Sequence, residues 1–305
     1  MLRAAFISLS ESKSLRSAAE KTWAGQRLSR RFIAGTTIEE ALAATRAVNQ
    51  IGLSVSVDNL GENVTNPDEA RHSAQLYHQM LDRMNEQGLD ANVSLKLTHM
   101  GLDVDEEMAF RISSNLVEHA ARINNFVRID MEGSPYTQKT LDFVRRLHKT
   151  PGLAGHVGAV IQSYLFRSEK DIEQLVADGI RVRLCKGAYK EPPEIAFAAK
   201  AGVDANYINL MKMLLSSGTY HGIATHDERM IRATIEFAER EKIPASAFEF
   251  QMLYGVRRDL QLKLIKEGWR CRVYIPFGTE WYPYFMRRLA ERPANLLFLI
   301  RNIFR

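Results

Sequence analysis

Short apolar and β-branched runs alternate with longer amphipathic stretches along most of the chain. The runs fall at 54–60, 92–97, 126–131, 159–164, 181–185, 222–225, 248–253 and 271–275. Between them, apolar residues at helical spacing predict helices near 67–87, 105–122, 136–149, 168–178, 203–217, 227–240 and 256–267. A helix over 37–50, capped by Thr36 or Thr37 and stopped near Gly52, precedes the first run, and residues 1–35 also read as helical. Eight strand–helix units in succession call for parallel strands joined by crossover helices, and a span of about 250 residues is what a barrel closed from eight such units occupies. The expected fold is therefore α/β, a (β/α)8 TIM barrel over 53–305 behind N-terminal helices over 1–52. An open doubly wound sheet is the rival. No Gly-x-Gly-x-x-Gly follows any strand, and the stretch from Gly152 to Gly158 precedes one, which argues against a dinucleotide site of the Rossmann kind.

The stretch from Tyr274 through Glu291 reads as a strand end, a turn and a helix. On that helix Trp281, Tyr284, Arg288 and Glu291 stand at i, i+3, i+7 and i+10, with Arg287 at the flank, and Phe285, Met286, Leu289 and Ala290 form the opposite, apolar side. A solvated amphipathic helix would explain such an arginine pair. The aromatics one turn away favour a pocket for a small carboxylate instead, because guanidinium groups bind carboxylates through parallel, charge-assisted hydrogen bonds.

Composition narrows the possibilities further. The chain has 305 residues, 46% of them hydrophobic and 25% charged, as a globular protein with a substantial core would. A net charge of +5 biases it mildly toward anionic partners and is too small to argue for nucleic acid. Two cysteines, Cys185 and Cys271, supply neither a disulfide framework nor a multi-cysteine metal site, and suit a reducing cytoplasm. No apolar stretch reaches the roughly 18 residues of a spanning helix. Arg16, Lys21, Arg27, Arg30 and Arg31 give the N-terminus the pattern of a transit peptide, against which Glu11 and Glu20 count.

Active sites of such barrels sit at the C-terminal ends of the strands. The polar residues there are Asp58 and Glu62, Lys96, Asp130 and Glu132, Gln162, Arg183 and Lys186, Thr225 and His226, Glu249 and Gln251, and Tyr274. Any one could be a satisfied buried polar group, but polar residues at all eight ends form a set. Leu95 and Lys96 must face opposite ways, so the lysine is expected at the barrel mouth as a catalytic group, an anion ligand or the partner of an acid such as Asp130. In the run from Arg183 to Tyr189, a lysine followed by Gly187 and Ala188 lets backbone N–H groups approach a phosphate, and with Thr225 and His226 one strand later it reads as a cofactor cradle.

These segments resemble the proline dehydrogenase family, the flavin-dependent enzymes of proline catabolism. The resemblance covers about 58–295 and rests on Val57-Asp58-Asn59-Leu60-Gly61-Glu62, Ser94-Leu95-Lys96-Leu97, Arg128-Ile129-Asp130-Met131-Glu132, Val160-Ile161-Gln162-Ser163-Tyr164, Arg183-Leu184-Cys185-Lys186-Gly187-Ala188-Tyr189, Ala224-Thr225-His226, Phe250-Gln251-Met252-Leu253-Tyr254-Gly255 and the helix from Tyr284 to Glu291. It implies a distorted barrel whose last helix lies over the mouth. It also implies oxidation of L-proline to Δ1-pyrroline-5-carboxylate, with FAD as cofactor and a membrane quinone as electron acceptor. Arg287, Arg288 and Lys96 would bind the proline carboxylate, Glu62 would pair with an arginine, and Tyr274, Tyr284 and Leu253 would wall the ring. Gln162 and Arg183 would face the isoalloxazine. Cys185, Lys186, Gly187 and Ala188 would follow the ribityl and pyrophosphate, Thr225, His226 and Glu291 would also touch FAD, and Asp130 would stand between Lys96 and the flavin. The absence of an aldehyde-oxidising domain resembles the monofunctional bacterial branch. Where bifunctional members carry Trp after Gly-Ala-Tyr, this chain has Lys190-Glu191-Pro192-Pro193.

A quinone acceptor implies a cytoplasmic protein that is peripheral at the inner face of the cell membrane, through the basic N-terminus or through Leu296, Leu297, Phe298, Leu299 and Ile300 beside Arg301 and Arg305. A homo-oligomer is open. Two rivals remain: a Schiff-base lyase using Lys96 or Lys186, and a non-catalytic membrane-peripheral binding protein.

Overall fold

A computed structural model describes Thr22, residues 30–61 and residues 64–291, the last five of these by their backbone only. Eight strands close a barrel in sequence order: β1 (Ser54–Asn59), β2 (Ala91–Leu95), β3 (Val127–Ile129), β4 (Val157–Gln162), β5 (Arg181–Cys185), β6 (His221–Ala224), β7 (Phe248–Leu253) and β8 (Cys271–Phe277). Every neighbouring pair is parallel, β8 and β1 included. Among the described residues there are nine α-helices: α1 (Ile38–Asn49), α2 (Pro67–Glu86), α3 (Glu106–Arg122), α4 (Ser134–Lys149), α5 (Ser168–Ala177), α6 (Lys200–Leu215), α7 (Glu228–Arg240), α8 (Arg258–Lys266) and α9 (Trp281–Glu291). From residue 37 onward expected and observed elements agree apart from shifts of a few residues, and the helices expected over 1–35 lie mostly outside the described residues. At β2 the shift has a cause: the Thr98 N–H donates to the Glu132 carboxylate at 3.2 Å, so the chain leaves the sheet early and Lys96 and Leu97 stand on the loop beyond.

Parallel strands covered by helices usually read as continuous apolar runs. Here they alternate. The outward set, including Val55, Val57, Val93, Leu95, Val127, Ile129, Val182, Leu184, Phe250, Val273 and Ile275, is buried against the helices. The inward set is polar, and its residues hydrogen-bond across the barrel instead of filling it with aliphatic layers. Glycines on two inward positions make room for the long side chains. A Cβ on Gly158 would run into the Arg181 carbonyl oxygen and stand 2.6 Å from Arg128 Nη1 and 2.8 Å from Phe126 Cζ, and one on Gly222 would run into Gln251. Overpacking of this kind costs about 1–3 kcal/mol. Gly158→Ala is therefore expected to lower the thermal midpoint measurably, whereas Ala at Gly88, where a Cβ would meet nothing within 4 Å but φ is positive, should show only backbone strain.

The groove outside β1 and β8, where a last barrel helix would pack, is taken by α1, which precedes the barrel. Thr37 is its cap, in a reciprocal capping box with Glu40. Helix α9 therefore packs elsewhere: Trp281, Tyr282, Tyr284, Phe285 and Met286 form a cluster separate from the main core with Phe32, Ile33 and Leu60, the residue just beyond β1. That places α9 at the strand C-terminal ends. Two expectations change as a result. Residues 30–33 form a turn, not a helix, because the next residues are tied to the end of β8, with Ala34 N–H donating to Pro276 O and Gly278 N–H to Gly35 O. Trp281, Tyr282, Tyr284, Phe285 and Met286 at the start of α9 are all buried, so Trp281 and Tyr284 share an apolar environment with Phe285 and Met286.

Candidate active site

The barrel interior is a ladder of hydrogen-bonded charges. Lowest stands Glu249, which accepts from Arg272 Nε at 2.6 Å, Gln251 Nε2 at 2.6 Å and the Tyr220 hydroxyl at 2.9 Å. Burial raises the Glu249 carboxyl, but Arg272 and these donors outweigh it and hold the group below its ordinary value. Above it, Arg183 donates to four side chains: Gln251, Asp130 at 2.7 Å, Ser56 at 3.2 Å and Ser94 at 3.1 Å. The two serines matter for being small as well as polar, since the guanidinium lies across them. Tyr274 closes the group, its hydroxyl donating to the second Asp130 oxygen at 2.7 Å and its ring 5.1 Å from the Arg183 carbon. Burial and then Asp130 push the Tyr274 hydroxyl far above the ordinary tyrosine range, so it stays a donor.

At the rim of the mouth Lys96 donates to Asp58 at 3.3 Å, and the other Asp58 oxygen accepts from Tyr77 on α2 at 3.2 Å. Of the three roles open to Lys96, the structure shows pairing with an acid, and the acid is Asp58; both Asp130 oxygens serve Arg183 and Tyr274. Asp58, Asp130, Lys96, Arg183 and Tyr274 are brought together, and Lys96 and Asp130 keep 13% and 12% exposure in an otherwise closed interior. Glu62 lies outside the described residues, as do the side chains of Arg287, Arg288 and Glu291.

Across the mouth lie the ends of β4 to β6, where the sequence reading places its cradle. Gly187 has φ +112°, and a Cβ there would enter the Tyr164 ring, so only glycine fits. Backbone bonds from Ser163 N–H to Cys185 O and from Tyr164 N–H to Lys186 O hold the two loops together. Desolvation pushes the Cys185 thiol up to about 12, which keeps it neutral. Lys186 donates to Asp204 at 2.6 Å and Asp227 at 2.9 Å. Gln162 is fixed by its amide on Glu132 O at 2.9 Å, Thr225 Oγ1 accepts from Asp227 N–H, and His226 Nε2 accepts from Leu253 N–H at 2.9 Å, which puts the proton of a neutral His226 on Nδ1. In place of an aromatic after Tyr189, Glu191 reaches the start of α4 and accepts from Ser134 N–H at 2.8 Å, the Ser134 hydroxyl and the Tyr164 hydroxyl.

The sequence reading missed Tyr77, Ser56 and Ser94 and gave Asp58 and Gln251 no role. Tyr77 carries no signal of its own, being one of the apolar-face residues of α2 between Ala74 and Met80.

A closed eight-stranded barrel with paired cations and carboxylates at its strand ends defines the chain as a (β/α)8-barrel enzyme. The sequence model of the family described as Proline dehydrogenase matches residues 41–301. The chain is 41% identical over 304 residues to Proline dehydrogenase 1 of Bacillus subtilis, covering 99% of both chains. It is 39% identical to the Proline dehydrogenase of Deinococcus radiodurans, covering 94% of this chain and 92% of that one. Among solved structures, proline utilization A from Bdellovibrio bacteriovorus, inactivated by N-propargylglycine, superposes with a TM-score of 0.83 at 26% identity over 90% of this chain and 34% of that one. The chain belongs to the proline dehydrogenase family and is an oxidoreductase of proline metabolism.

Proposed function

We propose that the chain oxidises L-proline to Δ1-pyrroline-5-carboxylate with FAD and passes the electrons to a membrane quinone. The observation that carries this reading is the Arg183–Asp130–Tyr274 cluster at the mouth beside Lys96 and Asp58. FAD, when bound, would supply the acceptor for the hydride from the ring carbon next to nitrogen. The residues of the cradle fit such a group, since Gly187, held against the Tyr164 ring, carries no side chain to obstruct the loop, and Lys186 and Thr225 supply polar atoms beside it. Arg183, held by Asp130, would supply a fixed positive charge to offset the negative charge of a reduced flavin.

Two carboxylates match Lys96 and Arg183 at the mouth, so the excess positive charge for the substrate carboxylate is assigned to Arg287 and Arg288 on α9, with Lys96 as third ligand. Tyr274, Tyr284 and Leu253 form the walls for the ring. Fixing the carboxylate on three cations orients the reacting carbon, and orientation alone can lower a barrier by about 7–11 kcal/mol in the best cases.

The experiment is an absorbance spectrum of the purified protein before and after anaerobic addition of L-proline. A flavin spectrum bleached by proline is expected, and colourless protein that FAD cannot reconstitute would overturn the reading. Arg288→Lys keeps the charge and loses the planar fork, so the KM for proline is expected to rise at least about tenfold, or roughly 1.4 kcal/mol, at an unchanged thermal midpoint. Among the described residues no helix is long and apolar enough to cross a membrane, and both segments expected at the bilayer lie mostly outside those residues. Faster reoxidation by a lipophilic quinone than by NAD is the expected outcome for the acceptor.

A further inference from the structure

Tyr77 is a fully buried phenol on a helix outside the barrel, with its hydroxyl directed into the strand end. It accepts from Asn59 N–H at 3.2 Å, and its one proton has Asp58 Oδ1 at 3.2 Å as the nearer and charged acceptor, ahead of Asn59 O at 3.4 Å. The remaining Asp58 oxygen, Oδ2, accepts from Lys96. A hydrogen-bonded line therefore runs from α2 through β1 to the ammonium at the mouth. Helix packing alone would be served equally well by phenylalanine, whose ring could keep the edge-on contact with His99 at 6.4 Å.

We propose that Tyr77 and Asp58 are positioning residues, Tyr77 fixing the Asp58 carboxylate and Asp58 in turn holding the Lys96 ammonium in the direction of the substrate carboxylate. This rests on the reading of Lys96 as a ligand of that carboxylate. A lysine stem has four rotatable carbons and an ammonium with three donors, so it carries no direction of its own. Occupying one Asp58 oxygen with Tyr77 leaves the other as the anchor and sets where the remaining donors point. The line also favours a lysine that stays charged, whereas a Schiff-base nucleophile must be the neutral amine.

The groups facing Asp58 are Lys96 after β2, Asp130 after β3, Tyr274 on β8 and Tyr77 on α2. Burial, and also Asp130, push the Asp58 carboxyl upward, while Lys96 and Tyr274 oppose them. Taking away the Tyr77 donor lets Asp58 take up a proton at higher pH, and a neutral Asp58 no longer anchors Lys96.

The test is steady-state proline oxidation by flavin-loaded Tyr77→Phe, Asp58→Asn and Lys96→Met across pH 5–9. For Tyr77→Phe the expected result is a KM raised about tenfold, a kcat lowered less than about threefold, and an acid limb of kcat/KM moved up by about one pH unit. Asp58→Asn keeps the shape of the site and is expected to raise KM at least as much while abolishing that limb, which keeps the proposal testable if Tyr77→Phe does not fold. Unchanged KM and acid limb in both variants would overturn it, as would equal losses in kcat and kcat/KM at an unmoved pH profile, since a purely structural role predicts the latter. If Lys96→Met itself leaves KM unchanged, the failure lies in the role assigned to Lys96. A raised KM in Lys96→Met alone places the failure in the line from Tyr77.

Discussion

Arg183→Met is expected to lower unfolding stability by about 3–5 kcal/mol and proline turnover by at least about 100-fold, and adding Asp130→Leu should restore much of the stability and none of the turnover. The side chains of Arg183 and Asp130 are 8% and 12% exposed and 2.7 Å apart. Removing the cation leaves Asp130 buried with Tyr274 as its remaining hydrogen-bond donor on that side of the mouth, and a buried carboxylate without its partner is the costly state. Replacing both members by apolar side chains removes that penalty, so a stability coupling of at least about 2 kcal/mol should appear in the double-mutant cycle. Catalysis has no such compensation. The Arg183 charge is absent in the single and the double variant alike. Urea unfolding of all four proteins, with turnover measured on flavin-saturated enzyme, separates the two roles. Turnover regained in the double variant, or a loss below about tenfold in the single one, would make the pair structural.

The barrel was legible because its outward residues are apolar at every second strand position. Val55 and Val57, Val93 and Leu95, and Val182 and Leu184 bracket the serines and the arginine that face inward. The strand-end set was legible for the same reason, since a polar residue at the end of a buried strand has few places to point. Pairing was not. Arg183 meets Ser56 across 127 residues of sequence, a contact that exists only once the barrel closes, and Lys96, flanked in register by β1 and β3 alike, bonds Asp58 while both Asp130 oxygens are taken by Arg183 and Tyr274. The place of α9 was suggested by resemblance, and its cause emerges only in three dimensions, where α1 fills the groove that the last helix would occupy. Tyr77 shows the limit most clearly: at its position in α2 any large apolar residue satisfies the helical pattern, and only the hydroxyl reaching Asp58 distinguishes it.

Acid is expected to weaken the fold steeply well above the range where carboxylates titrate, with unfolding stability falling by about 4 kcal/mol between pH 7 and pH 5. Two histidines supply the effect. His221 is buried, its Nδ1 accepting from Val182 N–H at 3.0 Å and its Nε2 bonded to Ser217 at 2.9 Å, and burial followed by Arg128 and Arg181 pushes it down to about 3. His99 is pushed down to about 4 by burial and then by Lys96. Both are neutral in the folded state at pH 5, whereas in the unfolded chain both carry a proton below their ordinary value of 6.5. The unfolded state then binds more protons, so stability rises with pH and falls on acidification, each histidine contributing about 1 kcal/mol per pH unit on average over this window. Asp58 acts in the opposite sense, because its raised folded value lets the folded state take up a proton first, and it offsets part of the slope at the low end. Below pH 4.5 the loss grows again. Glu249 must protonate out of its bonds to Arg272 and Gln251, and Asp227, held at about 2 despite burial by its bonds to Lys186 and Arg229 N–H, must follow below pH 3.8. Asparagine can place an amide oxygen where His221 Nδ1 accepts, so His221→Asn should unfold with a slope shallower by about 1.4 kcal/mol per pH unit between pH 6 and pH 5. Equal slopes for the two proteins in urea titrations at those pH values would mean that His221 is already protonated in the fold, and with it that the base of the barrel is open to water.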